Sequence, residues 1–259
     1  MKNTLLNEAH IKCAVIERLI ESGALNDAVL INEMVVANWS RRVDLAVANG
    51  KLHAFEIKSD VDTLRRLDGQ LATYLQTFDK VTVVTTEKHA TQIASMIPNN
   101  VELWVASASN QKISLKVVKR GRTDKVSGHD ALCSHLTKAE IFTLLKKNGI
   151  SSKLYQKKES LIQASEIISV NLVRKHLLDC LKNRYKKTHD QFINGLAHRI
   201  TINDLTRLRK ISDLPKISLA HISPENIERR ILDYDVFSRK YGELPAGAPV
   251  FIRTRKKLD

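Results

Sequence analysis

Cysteine is scarce and scattered. Cys13, Cys133 and Cys180 are the only three in 259 residues. Their odd number and wide spacing suit neither a zinc site nor a disulfide framework, which fits a reducing compartment. No apolar run reaches the roughly eighteen residues a membrane-spanning helix needs. The opening stretch MKNTLLNEAHIKCAVIERL has a charge inside every short apolar segment and no small-residue cleavage site. It reads as an amphipathic helix and not as a secretion signal, so a cytoplasmic protein is expected. No Walker-type glycine loop, HExxH pair or Cys/His finger occurs, which excludes the corresponding nucleotide-hydrolase and zinc chemistries. His129-Asp130 and His189-Asp190 have no companion His or Asp at supporting spacing, and read as surface histidines. There is no internal repeat.

Positive charge, by contrast, is plentiful and unevenly placed. The net charge is +14 and 43% of residues are hydrophobic, an ordinary fraction for a globular chain. Residues 1–111 carry 11 Lys+Arg against 13 Asp+Glu, a net of −2. Residues 112–259 carry 31 against 15, a net of +16. This asymmetry predicts two functional halves, the second held against a polyanion.

The periodicity divides the chain in the same way. Over residues 1–120 helical and strand patterns alternate, which predicts an α/β core. Leu5, Leu6, Ile11, Val15, Leu19 and Ile20 recur at helical spacing, and Gly23 supplies a stop. Strands are expected over 28–36, 80–86, 102–108 and 112–120, with helices over 62–78 and 89–97. Residues 121–135 lack periodicity and read as a linker. Residues 136–259 read as a basic, mainly helical domain. It opens with a capping box, Thr137 with Glu140, closed at Gly149, and includes a long helix over 169–196.

The chemistry concentrates in a hairpin at 41–58, RRVDLAVANGKLHAFEIK. Glu56 and Lys58 are two apart on a strand and share a face. Asp44 joins them only if the register across the turn is even. A two-residue Asn49-Gly50 turn puts Asp44 on the wrong side. A three-residue loop, Ala48-Asn49-Gly50 with Gly50 left-handed, pairs Asp44 with Ala54 and sets it diagonal to Glu56. The apolar residues favour that parity, with Val43, Leu45 and Val47 meeting Phe55 and Ile57. Two converging carboxylates repel, and oxygen-only ligation with room for water suits Mg²⁺ or Mn²⁺. Lys58 beside them is placed to steer or deprotonate a water. Asp62, Arg66, Gln70 and Tyr74, four apart, form a polar stripe on the following helix. Its bland alternative is a surface Asp62–Arg66 pair. Asn32 or Glu33 faces either the site or solvent. Asp60 and Asp62 are candidate helix caps.

The strand at 28–36, then RRVDLAV, FEIK and QLATY, resemble the PD-(D/E)XK nuclease superfamily, the last run resembling the Q-x-x-x-Y element of RecB-like members. The resemblance covers residues 1–110. It implies a restriction-endonuclease-like αβββαβ core, with Asp44 and Glu56 as metal ligands and Lys58 assisting catalysis. It also implies Glu8 as a helix-one acid completing the metal site, and Gln70 and Tyr74, with Arg66 beside them, as substrate-binding groups. Val43 stands where a proline often precedes the first Asp.

The expected activity is therefore Mg²⁺-dependent hydrolysis of phosphodiester bonds, in DNA more than RNA. The basic second half, with Tyr155, Tyr185 and Tyr241 near its lysine clusters, would grip the backbone. Two alternatives stand beside it: a catalytically degenerate nucleic-acid-binding accessory protein, and an interaction protein of a defence or toxin–antitoxin assembly.

Overall fold

The structure, a computed structural model, describes residues 6–36, 41–109, 112–197 and 199–208. These lie in the first of two units, residues 1–210. The second, 211–259, contains the expected loose C-terminal stretch and Tyr241, which fall outside the described residues.

The elements run α1 (Glu8–Glu21), β1 (Val29–Val36), β2 (Arg41–Ala48), β3 (Leu52–Lys58), α2 (Leu67–Thr77), β4 (Lys80–Thr86), α3 (Glu87–Met96), β5 (Glu102–Ser109) and β6 (Lys112–Lys119). After β6 the described elements are helical: α4 (His129–Ser134), α5 (Lys138–Lys147), α6 (Lys158–Ala164) and α7 (Val170–Asn194), with 3-10 turns at Ser165–Ile167 and Asp204–Leu208. The α/β expectation thus holds at the level of a mixed six-stranded sheet with helices. The strands lie side by side in chain order. β1, β2 and β3 form an antiparallel meander, β3, β4 and β5 run parallel, and β6 returns antiparallel. The parallel pairs need crossovers, and α2 and α3 supply them.

Both faces of the sheet's centre are apolar and covered, whereas β6 alternates exposed with half-buried residues. On one face α1 packs Ile11, Val15 and Leu19 with Leu30, Leu45, Phe55 and Val84. On the other, α2, α4, α5 and α6 join Ile31, Ala46, Ala54, Val81 and Val83. Helix α7 contributes Val173, Leu177 and Leu181 to the second cluster and Phe192 to the first. It crosses the open edge of β1, where Leu30 N donates to His189 Nδ1 at 3.2 Å, so an edge donor is satisfied from a helix. His189 is consequently buried, not the surface histidine its sequence context suggests. His129 is also tied down, 2.8 Å from the Ile168 carbonyl. The Thr137–Glu140 capping box forms as expected, and Gly23 and Gly149 take the left-handed conformation that ends a helix. Helix α4, with buried Leu132 and Cys133, lies in the stretch read as linker.

The hairpin keeps the expected parity but is shifted along the chain. Ala48 pairs with Leu52 and Ala46 with Ala54, so the three-residue loop is Asn49-Gly50-Lys51, with Gly50 at φ +87. Asp44 therefore stands level with Glu56, not diagonal to it. The cause is an anchor the sequence does not announce: Leu52 N donates to the buried Asp79 Oδ2 at 2.8 Å, which fixes where β3 begins. A second departure concerns Val43, which packs with Ala46 and Ala48 instead of with Leu45 and Val47. In-out alternation slips at this level on both strands. On β1, Val29 and Ile31 share a cluster with Met34 and Val36, and the slip falls at Glu33, held at φ +56. The β1–β2 register passes from Asn32–Leu45 to Met34–Val43 and omits Glu33 and Asp44.

Candidate metal centre

That slip turns two acids out of the regular ladder. Beyond Leu45–Phe55 the paired residues of β2 and β3 stop, and the Asp44 side chain enters the gap, where Oδ2 accepts from Ile57 N at 2.6 Å. Glu33, opposite it on β1, turns its carboxylate toward α1. A non-glycine residue in the left-handed region costs about 1–2 kcal/mol, a cost tolerated where something else fixes the conformation.

Helix α1 brings the next groups. Asn7 caps it, accepting from His10 N at 2.9 Å. Its entry is pinned to the end of β3, because Leu6 N donates to Asp60 Oδ2 at 3.0 Å and Asp60 N donates to the Leu6 carbonyl. Asp60 is thus an anchor for α1. Glu8 and Lys12, one turn apart, face Glu33: Lys12 Nζ lies 3.0 Å from Glu8 Oε1 and 2.7 Å from Glu33 Oε1, and donates to Asn32 Oδ1 at 3.1 Å. Carboxylate oxygens of Glu8, Glu33 and Asp44 lie within 4.8 Å of one another. Arg42 Nη1 approaches Glu33 at 3.5 Å from the exposed side.

The other half of the centre is on β3 and α2. Glu56, 1% exposed, accepts from Lys58 Nζ at 2.7 Å, from Gln70 Nε2 at 2.5 Å and from Tyr74 OH at 3.0 Å. Lys58 Nζ also donates to Gln70 Oε1 at 3.0 Å. Tyr74 OH is 2.8 Å from the Arg42 carbonyl as well, so its one proton is shared between β2 and Glu56. Gln70 and Tyr74 reach the site because α2 begins only at Leu67. The residues before it form a turn in which Asp62 accepts from Ser59 N at 2.8 Å. Asp62 therefore neither caps α2 nor pairs with Arg66. Arg66 is exposed, occupies the N-cap position without a side-chain cap bond, and does not join the network.

The electrostatics are unbalanced. Burial, then the charge of Glu56, pushes the Asp44 carboxyl well above the carboxylate range, against the bond from Ile57 N. Glu56 is also raised, by burial, with Lys58, Tyr74 and Gln70 opposing. Burial and the Glu56 charge push the Tyr74 hydroxyl up, so it remains a donor. Lys12 is buried too, which disfavours its ammonium, yet Glu33, Glu8 and Asp44 outweigh burial and raise its pKa. Four carboxyl groups thus meet Lys12, Lys58 and the exposed Arg42, and burial biases the two most enclosed, Asp44 and Glu56, against their charged forms. All the spare ligand atoms are oxygens, the donor set that Mg²⁺ or Mn²⁺ prefers.

Of the residues expected from sequence, Asp44, Glu8, Glu56, Lys58, Gln70 and Tyr74 gather here and Arg66 does not. Glu33, undecided in the sequence, faces the site. Lys12 was not anticipated. The one signal that could have found it is its i,i+4 spacing from Glu8, a spacing most surface helices also show.

The family model described as Bacteriophage P4 protein cII matches residues 1–209. Protein cII of Enterobacteria phage P4 is 37% identical over 246 residues, covering 92% of this chain and 93% of that protein. Among solved structures, a protein of unknown function from Silicibacter pomeroyi, SPO1766, aligns with 58% of this chain and 99% of its own at 18% identity and a TM-score of 0.37. The first two findings overturn the assignment to the PD-(D/E)XK nuclease superfamily, which rested on short motifs: a different family matches along most of the chain.

Proposed function

The chain belongs to the bacteriophage P4 protein cII family, and from its site geometry we propose that it is a metal-dependent phosphodiesterase acting on nucleic acid, DNA in the first instance. One observation carries the reading. Asp44, Glu56 and Lys58 converge at the point where β2 and β3 part, with Glu8 and Glu33 adding carboxylates from α1 and β1.

The donor set fits a hard divalent cation: Glu8, Glu33 and Asp44 offer oxygens within 4.8 Å of one another, and Glu56, whose oxygens accept from Lys58, Gln70 and Tyr74, would have to give up one of those bonds to join them. Bound there, Mg²⁺ or Mn²⁺ would supply Lewis-acid polarisation of a phosphoryl oxygen. The chain's own groups do the rest. Lys58, held by Glu56 and Gln70, meets the attacking water or the phosphate with a fixed ammonium. Gln70 and Tyr74 hold Glu56 in one orientation, so its oxygens need not reorganise during the reaction. On the helical half, Lys146, Lys147, Lys153, Lys157, Lys175, Lys186 and Lys187 are exposed. Tyr155, 79% exposed, lies 5.6 Å from Lys153 Nζ, an arrangement suited to stacking on a base beside a phosphate.

A second reading has its own observation. Lys12 and Lys58 already neutralise part of the acid set, as they would in a silent nucleic-acid-binding protein. Incubation of the full chain with single- and double-stranded DNA and RNA, with Mg²⁺ or Mn²⁺ and with chelator, separates the two. Metal-dependent cleavage lost in both Asp44→Asn and Lys58→Met is expected. Equal nicking by all three proteins, or salt-sensitive binding without cleavage, sinks the catalytic reading.

A further inference from the structure

The most unusual side chain in the centre is Lys12. Lysine is rarely buried unless paired, and here the side chain is 6% exposed. Its ammonium donates to Glu33 Oε1 at 2.7 Å and to Asn32 Oδ1 at 3.1 Å, and pairs with Glu8 Oε1 at 3.0 Å. Two of those acceptors are also two of the three carboxylates clustered within 4.8 Å. Oxygens so spaced match ligands on one cation, since metal–oxygen bonds of about 2.0–2.6 Å set opposite ligands some 4–5 Å apart. The ammonium thus holds the oxygens a divalent ion would use.

We propose that Lys12 is a built-in counter-ion of this acid cluster, which a divalent metal must displace from Glu8 and Glu33 in order to bind. The inference rests on the metal-dependent reading above. Three details support it. Lys12 and the exposed Arg42 do not balance three carboxylates, and Asp44 is not among the hydrogen-bond partners of Lys12. Two cations cannot share the same oxygens at bonding distance without strong repulsion. Lys12 also sits on a flexible four-carbon stem, and Asn32 offers a neutral acceptor that competes with no metal. Metal affinity is then set by competition: the lysine keeps the metal-free centre folded and makes metal binding weak.

The test measures binding, not turnover. Mn²⁺ is titrated calorimetrically into the full-length wild type, Lys12→Met and Asp44→Asn. Lys12→Met, similar in length and uncharged, is expected to bind Mn²⁺ roughly tenfold tighter or more, and Asp44→Asn more weakly than wild type. In parallel, lysine acetylation of the wild type is read by mass spectrometry, with and without saturating Mn²⁺. Lys12 is expected to be protected without metal and more reactive with it. If the wild type binds Mn²⁺ and Lys12→Met binds it no tighter, the competition is overturned while the metal reading stands. If Lys12→Met does not fold, labelling decides, and unchanged Lys12 reactivity in the metal-bound wild type overturns the proposal. If neither wild type nor Lys12→Met binds Mn²⁺, the metal reading fails and takes the inference with it.

Discussion

Replacing Asp44 with Asn should make the metal-free protein more stable while removing the proposed cleavage activity. The Asp44 charge is penalised first by burial and then by Glu56, and its oxygens also lie within 4.8 Å of those of Glu8 and Glu33. Two unit charges at that distance repel by about 3.5 kcal/mol at an effective dielectric of about 20. Glu8 and Glu33 are 46% and 34% exposed, so water screens much of this. Lys12 offsets a further part. A net relief of about 1–2 kcal/mol remains, or roughly 3–6 °C in melting temperature for a unit of this size. The asparagine oxygen can still accept from Ile57 N, so the bond that fills the gap between β2 and β3 survives. The sign can be checked by pH. The Asp44 carboxyl is raised in the fold, so its destabilising charge appears as pH rises through that pKa and vanishes below the unfolded value. Thermal unfolding in EDTA at about pH 8 and about pH 5 should show a clear gain for Asp44→Asn at the higher pH and a smaller one at the lower. If Asp44→Asn melts below wild type in EDTA at the higher pH, Asp44 is a structural acceptor and not a strained ligand.

Two further outcomes follow from buried groups outside the centre. Arg174→Met strips Asp79, 1% exposed, of its ion-pair partner 2.7 Å away, while Leu52 N and Val126 N still point at it. It should cost about 3–5 kcal/mol by urea unfolding, and the double variant with Asp79→Leu should recover only part, because those two amide donors lose their acceptor. His135 is driven down to about 4 by burial, with Arg184 and Lys158 adding to it and the Thr77 carbonyl opposing. Its Nδ1 is buried without a partner, so an added proton would have no acceptor. A folded pKa below the ordinary 6.5 means stability is intact above about 6.5 and lost as pH falls toward 4, by about 3 kcal/mol. His135→Gln should flatten that slope relative to wild type, and an unchanged slope would show that other groups carry it.

Much of this was legible from local rules. The strand over Lys80–Thr86, the Thr137–Glu140 capping box and the glycine stops at 23 and 149 follow from patterns spanning a few residues, and the structure repeats them. The even parity of the hairpin was legible too, because it sets Phe55 and Ile57 on the same side as Leu45 and Val47. Parity constrains a register only modulo two, however. Its absolute value was decided by Asp79, twenty-seven residues beyond Leu52. Family membership was not decided by motif spacing at all. Short D…ExK and QxxxY strings occur in unrelated chains, and a match along residues 1–209 outweighs them.

What the sequence determined by itself was the supply of chemistry: acids at 44 and 56, a lysine at 58, and a basic half able to meet a polyanion. Only the tertiary structure decided which charges meet. Glu33 faces the centre because β1 breaks its alternation there, at a left-handed residue no propensity predicts. Lys12, an unremarkable position on an amphipathic helix, is buried because the anchored Leu6–Asp60 pair holds α1 against the strands that carry the acids. Charge is a property of a residue. Its partners, and hence whether it binds, balances or competes, depend on contacts between residues far apart in the chain.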